Sequence, residues 1–284
     1  MFTAEIICFG NELLIGKIVN TNATWLGKRL VTIGGLLKKI TTVGDNIDEM
    51  VSTIREVILR KPDVIITTGG LGSTFDDLAL AAVAKATNRK LELNEKAIEL
   101  IKNRLTEIKK ERNIDIPLTE ERKRMAMIPT GGIVLRNRAG SAPGVLVNYK
   151  NIMIFSVPGV PREMVAIFDY EIINYLPKDP SQQYHEQSLI INHLPESELA
   201  SAITPIREKY PQAYIKTHPR TTSINGIITV EIHISMFISN DESKIIENIV
   251  NELIDVIKEQ KGVKGETPKI TIGLEHNDKL GDIK

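Results

Sequence analysis

Short β-branched runs alternate with amphipathic stretches through roughly the first 177 residues. Ala4-Glu5-Ile6-Ile7-Cys8-Phe9, Leu36 to Val43, and Pro62-Asp63-Val64-Ile65-Ile66-Thr67 have the length and composition of buried strands. Between them, residues 22–33 and 47–60 predict helices, and Ile47, Met50, Val51, Ile54, Val57 and Ile58 form one apolar stripe of the second. Leu78 to Thr87, rich in alanine and leucine, predicts another helix. Asn94 is placed to cap a helix running to about residue 111, with Ile98, Ile101, Leu105 and Ile108 facing inward. Thr119 to Met127 predicts a more basic helix. Strands at 132–135, 144–149 and 151–157 follow, and Pro161 opens a helix in the first-turn position that proline tolerates. Strand–helix alternation of this kind implies an α/β domain with a parallel sheet wound by helices.

The pattern changes at Leu176-Pro177-Lys178-Asp179-Pro180-Ser181-Gln182-Gln183, a polar, proline-containing boundary. Beyond it, over 184–262, lies a second, smaller α+β domain of βαββα pattern. Its strands are near 186–192, 212–217 and 227–238, with helices at 196–209 and 241–260. The last helix turns Ile245, Ile246, Ile249, Val250, Leu253, Ile254 and Ile257 inward. This order reads as ferredoxin-like or KH-like. A KH domain needs a basic Gly-x-x-Gly loop, and its absence argues against RNA binding. Residues 263–284 read as a polar, loosely held tail.

Composition narrows the classes. Lys plus Arg and Asp plus Glu balance at 36 each, so neither nucleic acid nor an anionic membrane is favoured as a standing partner. No apolar run approaches the roughly 18 residues that span a bilayer. The chain opens straight into a strand without a signal peptide, so a cytoplasmic protein is expected. The single cysteine, Cys8, excludes an internal disulfide and reads as a small core residue. Trp25 reads as a packing residue. His185, His193, His218, His233 and His276 have no zinc-site spacing, and no Ser-His-Asp or Cys-His arrangement can be assembled.

The candidate chemistry lies in Thr67-Thr68-Gly69-Gly70-Leu71-Gly72-Ser73-Thr74-Phe75-Asp76-Asp77, a glycine-rich turn between strand and helix. Three glycines let the backbone turn sharply and a ligand approach it closely. Free amides and the positive end of the following helix would then face a phosphate. Asp76 and Asp77 would repel bare phosphate unless a divalent cation bridges carboxylate and phosphate oxygens. The plainer alternative is that aspartates in a first helical turn stabilise the helix dipole with no ligand at all. The turn lacks the last glycine of the dinucleotide fingerprint, and Gly10 to Gly16-Lys17 is not spaced as a P-loop. Gly10-Asn11-Glu12 and Gly44-Asp45-Asn46 end the first two strands, so three strands deliver polar residues to the rim where α/β sheets bind ligands.

Five segments in order resemble the competence/damage-inducible CinA proteins. They are Gly10 to Asn22 (with Asn11, Glu12, Asn20 and Asn22), Thr42 to Asn46, the Gly69–Asp77 turn, Gly140-Ser141-Ala142-Pro143-Gly144, and Val157-Pro158-Gly159-Val160-Pro161-Arg162-Glu163-Met164. The resemblance implies a molybdopterin-binding MoaB/Mog-like fold for residues 1–177, a three-layer α/β/α sandwich. It implies the family's middle domain for the second half, and the deamidase domain of longer members has no room in the chain. The chain departs from the family at Asn11, where Thr is usual, at Ser73, where Pro is usual, and at Ala79, where Thr is usual. The activity implied is hydrolysis of ADP-ribose with Mg, Mn or Co. Asp77 and Asp45 would be catalytic, Asp76 and Asp77 would be metal ligands, and Glu12 stands in reserve. Gly69, Gly70, Leu71, Gly72, Ser73 and Thr74 would cradle phosphate, and Asn11, Glu12, Asn20, Asn22, Gly140, Ser141, Ala142, Pro143, Gly144, Pro158 and Gly159 would contact the ligand. One of Arg122, Lys123 and Arg124 would approach the phosphates. The alternative is a non-catalytic binder of a pterin or another phosphorylated ligand. A homo-oligomer is expected in either case.

Overall fold

The structure, a computed structural model, describes residues 1–113, 115–177, 182–220, 227–239, 244–262 and 266–273. The chain divides into two compact units at 178/179. In chain order the first holds β1 (Phe2–Phe9), α1 (Asn11–Leu14), α2 (Thr21–Thr32), β2 (Gly35–Val43), α3 (Ile47–Arg60), β3 (Val64–Thr68) and α4 (Ala79–Ala86). There follow β4 (Leu91–Leu93), α5 (Glu95–Arg112), α6 (Glu120–Arg124), β5 (Met127–Pro129), β6 (Ile133–Leu135), β7 (Gly144–Tyr149), β8 (Ile152–Val157) and α7 (Pro161–Tyr170).

Six strands form one sheet in the order β2-β1-β3-β8-β7-β6. β1 pairs in parallel with β2 and β3, and β3 with β8. β7 runs antiparallel to β8, and β6 to β7, so the sheet is mixed rather than wholly parallel. The cause is local. Only Lys150 and Asn151 separate β7 from β8, with Lys150 at φ 55°, and so short a link can join only antiparallel strands.

Alternate residues of the strands serve two helical layers. Ile7, Phe9, Ile65 and Ile154 pack with Met50 and Ile54 of α3, Val83 of α4 and Ile101 of α5. On the opposite face, Asn22 of α2 bonds to Thr68 of β3, and Trp25 of α2 meets Phe168 of α7 edge-on with ring centroids 5.4 Å apart. Helix, sheet and helix make three layers. Asn94 caps α5 by accepting from the Ala97 amide. The basic helix expected through Met127 stops at Arg124, because Met127–Pro129 pairs with Leu91–Leu93 as a two-stranded sheet.

The second unit contains β9 (Gln182–Asn192), α8 (Glu196–Lys209), β10 (Tyr214–Arg220), β11 (Thr229–Ser239), α9 (Ile245–Lys258) and β12 (Lys269–Gly273). Its antiparallel order β10-β11-β9-β12 is the ferredoxin-like arrangement. Ile249, Leu253 and Ile257 of α9 pack against Leu189, Ile191, Ile232 and Ile234 of the sheet. One expectation is corrected here. Lys269-Ile270-Thr271-Ile272 is an edge strand on β9, with Ile270 against the core, and not part of a loose tail. The two-residue alternation of that short segment is what a half-buried strand requires. Residues 263–265 and 274–284, including His276, lie outside the described residues. Among the described residues no helix is long and apolar enough to cross a membrane.

Candidate functional site

The carboxyl ends of β1, β2, β3 and β8 deliver their loops to one cleft of about 510 Å³ in the first unit. Gly10 follows β1 directly and Glu12 lies in α1, Asp45 comes from the loop after β2, and Pro158, Gly159 and Val160 from that after β8. The turn after β3 supplies Gly69, Gly70, Leu71, Gly72, Ser73, Asp76 and Asp77. Phe9, Arg122, Met125, Ser141, Ala142 and Glu163 complete the lining.

The glycine turn is clamped at its start. Gly69 sits at φ 101° and donates its amide to Val157 O at 3.1 Å, and a Cβ there would meet Phe9 O at 2.4 Å. Only glycine fits between the ends of β1 and β8 at that angle. Gly70 O accepts from the Ala79 amide at 3.1 Å, so the first amide of α4 is spent inside the loop. Here the structure differs from the sequence reading. Asp76 and Asp77 precede α4, whose first turn has no acidic residue, so neither carboxylate stabilises its dipole. The amides of Gly70, Leu71 and Gly72 make no hydrogen bond among the described residues and are the donors that the turn offers.

Thr74 holds both aspartates instead. Its amide donates to Asp77 Oδ2 at 2.7 Å, and its hydroxyl lies 2.6 Å from the same oxygen and within hydrogen-bonding reach of Asp76 Oδ1. The Thr74 hydroxyl holds the Asp76 carboxyl below the usual carboxylate range. Asp77 Oδ2 also lies against the turn, because a Cβ on Gly72 would approach it to 2.5 Å.

Asp45 is fixed by a reciprocal pair: the Asn11 amide donates to Asp45 Oδ2 at 2.9 Å, and the Asp45 amide to Asn11 Oδ1 at 3.2 Å. Asn11 therefore supports the cleft rather than lining it. Asn20 accepts from the Ala23 amide at the start of α2. Asn22 is buried and donates to Thr68 Oγ1 at 2.9 Å and to Gly159 O at 2.8 Å, tying the loop after β8 to β3. Both line a smaller neighbouring hollow with Ile18 and Val19.

The Gly140–Gly144 segment is divided by the structure. Ser141 and Ala142 line the cleft, while Gly144 begins β7, where a Cβ would meet Ile167 at 2.9 Å. Gly140 and Pro143 border a second hollow, which Ser141 also reaches. Asn137 organises this loop, and sequence reasoning gave it no role. Its Oδ1 accepts from the amides of Ala139 and Gly140, and its Nδ2 donates to Ala142 O and to Glu163 Oε2. The available signal was an Asn followed three residues later by Gly, the signature of a side-chain-closed turn. Among the three cations on α6, Arg122 lines the cleft, Arg124 donates to Ser73 O at 2.9 Å, and Lys123 pairs with Glu120 at 2.6 Å. Glu163 was likewise missed as a lining residue. Burial pushes the Cys8 thiol up, in keeping with a core role.

Comparison with known proteins agrees with this architecture. Residues 5–178 match the family described as a probable molybdopterin binding domain. A protein of Saccharolobus islandicus is 43% identical over 261 residues, 92% of this chain and 96% of its own length. A protein of Sulfurisphaera tokodaii is 42% identical over 261 residues, again 92% of this chain and 95% of its own. The crystal structure of the protein CinA of unknown function from Thermoplasma acidophilum superposes with a TM-score of 0.53 at 34% identity, covering 61% of this chain and 98% of that one. The chain belongs to the probable molybdopterin binding domain family and is CinA-like within it.

Proposed function

We propose that this chain hydrolyses the pyrophosphate bond of ADP-ribose or a related nucleotide with a divalent cation, Mg, Mn or Co. One observation carries the reading: open main-chain amides of the glycine turn and the carboxylates of Glu12, Asp45, Asp76, Asp77 and Glu163 meet on one cleft. So many carboxylates repel bare phosphate, whereas a cation between them and a diphosphate makes the same cleft attractive.

The donor set fits such a cation. Carboxylate oxygens are the ligands that Mg and Mn take. Among the described residues no group of three or more His, Cys, Asp or Glu is assembled to hold an ion. One or two carboxylates would hold the cation together with the ligand's own phosphate oxygens, which is the usual habit of Mg sites. Asp77, with Oδ1 uncommitted, and Asp76 are the residues for that role. When bound, the cation supplies charge neutralisation and activation of water. The chain's own part is to cradle phosphate on the Gly70–Gly72 amides, to place Asp45 for orienting water, and to offset charge with Arg122.

A second reading has support of its own: the family is described as a probable molybdopterin binding domain, and on this reading the cleft binds a pterin or another phosphorylated ligand without turnover. Incubation with ADP-ribose and each of the three cations separates the two. Release of AMP and ribose 5-phosphate supports the hydrolase, and ligand-induced thermal protection without product supports the binder.

A further inference from the structure

We infer that the hollow between α5 and the 136–143 loop is an anion subsite that receives a phosphoryl group. The hollow measures about 330 Å³, and its lining includes Arg104, Lys110 and Arg136 with a single carboxylate, Glu107. Arg104 is the built element. Its side chain keeps 13% exposure, and its Nη1 makes both of its bonds, to Glu107 at 3.0 Å and to Glu111 at 3.2 Å. Its Nε is buried without an acceptor, and its Nη2 makes no hydrogen bond among the described residues. A buried donor left unmet is costly, and guanidinium groups such as those of Arg104 and Arg136 on this lining match phosphate oxygens.

The remaining charges point the same way. Arg136 shares Glu107 with Arg104, at 3.2 Å, and Arg104 also holds Glu111, so two carboxylates stand against the two guanidinium groups. Lys110 makes no ion pair among the described residues, which leaves the hollow with a surplus of positive charge. A phosphate alone would not fill the space, so a phosphate monoester on a ribose or similar polyol suits it. Ser141 lines both this hollow and the acidic cleft, and they flank one loop held by Asn137. Assigning the phosphoryl group to the same ligand rests on the reading of that cleft proposed above; the anion subsite itself does not require turnover.

The test is calorimetric titration of the full chain, at low ionic strength and without divalent cations, with ribose 5-phosphate and with inorganic phosphate. Lys110 is exposed and Arg136 half-exposed, so the double variant Lys110→Gln/Arg136→Gln should fold, and Trp25 fluorescence on heating checks that it does. Both probes should bind about tenfold more weakly, or worse, to the double variant, since a charged hydrogen bond contributes roughly that factor or more. Lys109→Gln, on the same helix but paired with Asp115, should leave both affinities unchanged. Equal affinity in the double variant, an equal loss in the Lys109 control, or no binding of either probe at millimolar concentration would overturn the subsite. ADP-ribose hydrolysis that persists with an unaltered subsite titration defeats this inference alone. A weakened titration in a protein that never releases AMP defeats only the proposed activity.

Discussion

Thr74 and Asp77 are locked together across one tight turn: Asp77 Oδ2 accepts the Thr74 amide at 2.7 Å and faces its hydroxyl at 2.6 Å. One carboxylate oxygen thus shapes the turn, while Oδ1 remains for a ligand or cation. Asp76 leans on the same hydroxyl, so Thr74 sets the position of both carboxylates with one side chain.

Replacing that hydroxyl should show up as a titration. The Asp76 carboxyl is held below its usual range chiefly by Thr74, so its contribution to stability is fully present above the ordinary aspartate pKa of about 3.9. That contribution is lost only as pH falls through the lowered value. In Thr74→Val the Asp76 pKa should rise towards the ordinary value, read from its carboxyl carbon shift during an NMR pH titration. An unmoved midpoint would detach Asp76 from Thr74.

Gly72→Ala separates site geometry from stability. The new Cβ would meet Asp77 Oδ2 at 2.5 Å, on an exposed turn. Thermal unfolding followed by Trp25, the single tryptophan, should shift little, while hydrolysis falls by about 100-fold, the cost of a small misplacement at a reacting centre. Full activity in the folded variant would show that the position of Asp77 is immaterial.

Gly69→Ala should do the reverse and damage the fold. Its φ of 101° alone costs a side chain about 1–3 kcal/mol, and the Cβ would also collide with Phe9 O at 2.4 Å. Urea unfolding of the first unit, followed by Trp25 emission, should show at least that loss. An unchanged midpoint would mean that the ends of β1 and β8 are free to part.

Much of this was legible in the chain. The stripe of Met50, Val51, Ile54 and Val57 marks α3 because only a 3.6-residue period puts them on one face, and all four are buried. The three early strand ends were readable because glycine follows each apolar run, with asparagine close behind it after the first two. What the chain did not reveal was long-range or set by side chains. The antiparallel turn at Lys150 looks like any polar loop until β8 is seen beside β3. Leu91–Leu93 and Met127–Pro129 are too short to signal a strand, and each is defined by the other. Glu163 reads as a first-turn helix residue, and its place on the cleft comes from Asn137, 26 positions earlier. Asp76 and Asp77 look like helix-start residues by composition, but their bonds to Thr74 tie them into the turn that precedes α4.

The central claim is cation-dependent cleavage at this cleft, and Asp77→Asn under ADP-ribose tests it most directly. Asparagine keeps an acceptor for the Thr74 amide but removes the charge beside the proposed cation. The measurement is AMP released per enzyme, with Mg, Mn or Co varied, for the parent chain and for Asp77→Asn. The account predicts cation-dependent release by the parent and a fall of orders of magnitude in the variant, as loss of a positioned charge entails. No AMP from the parent with any of the three cations, or near-normal release by the variant, would contradict it.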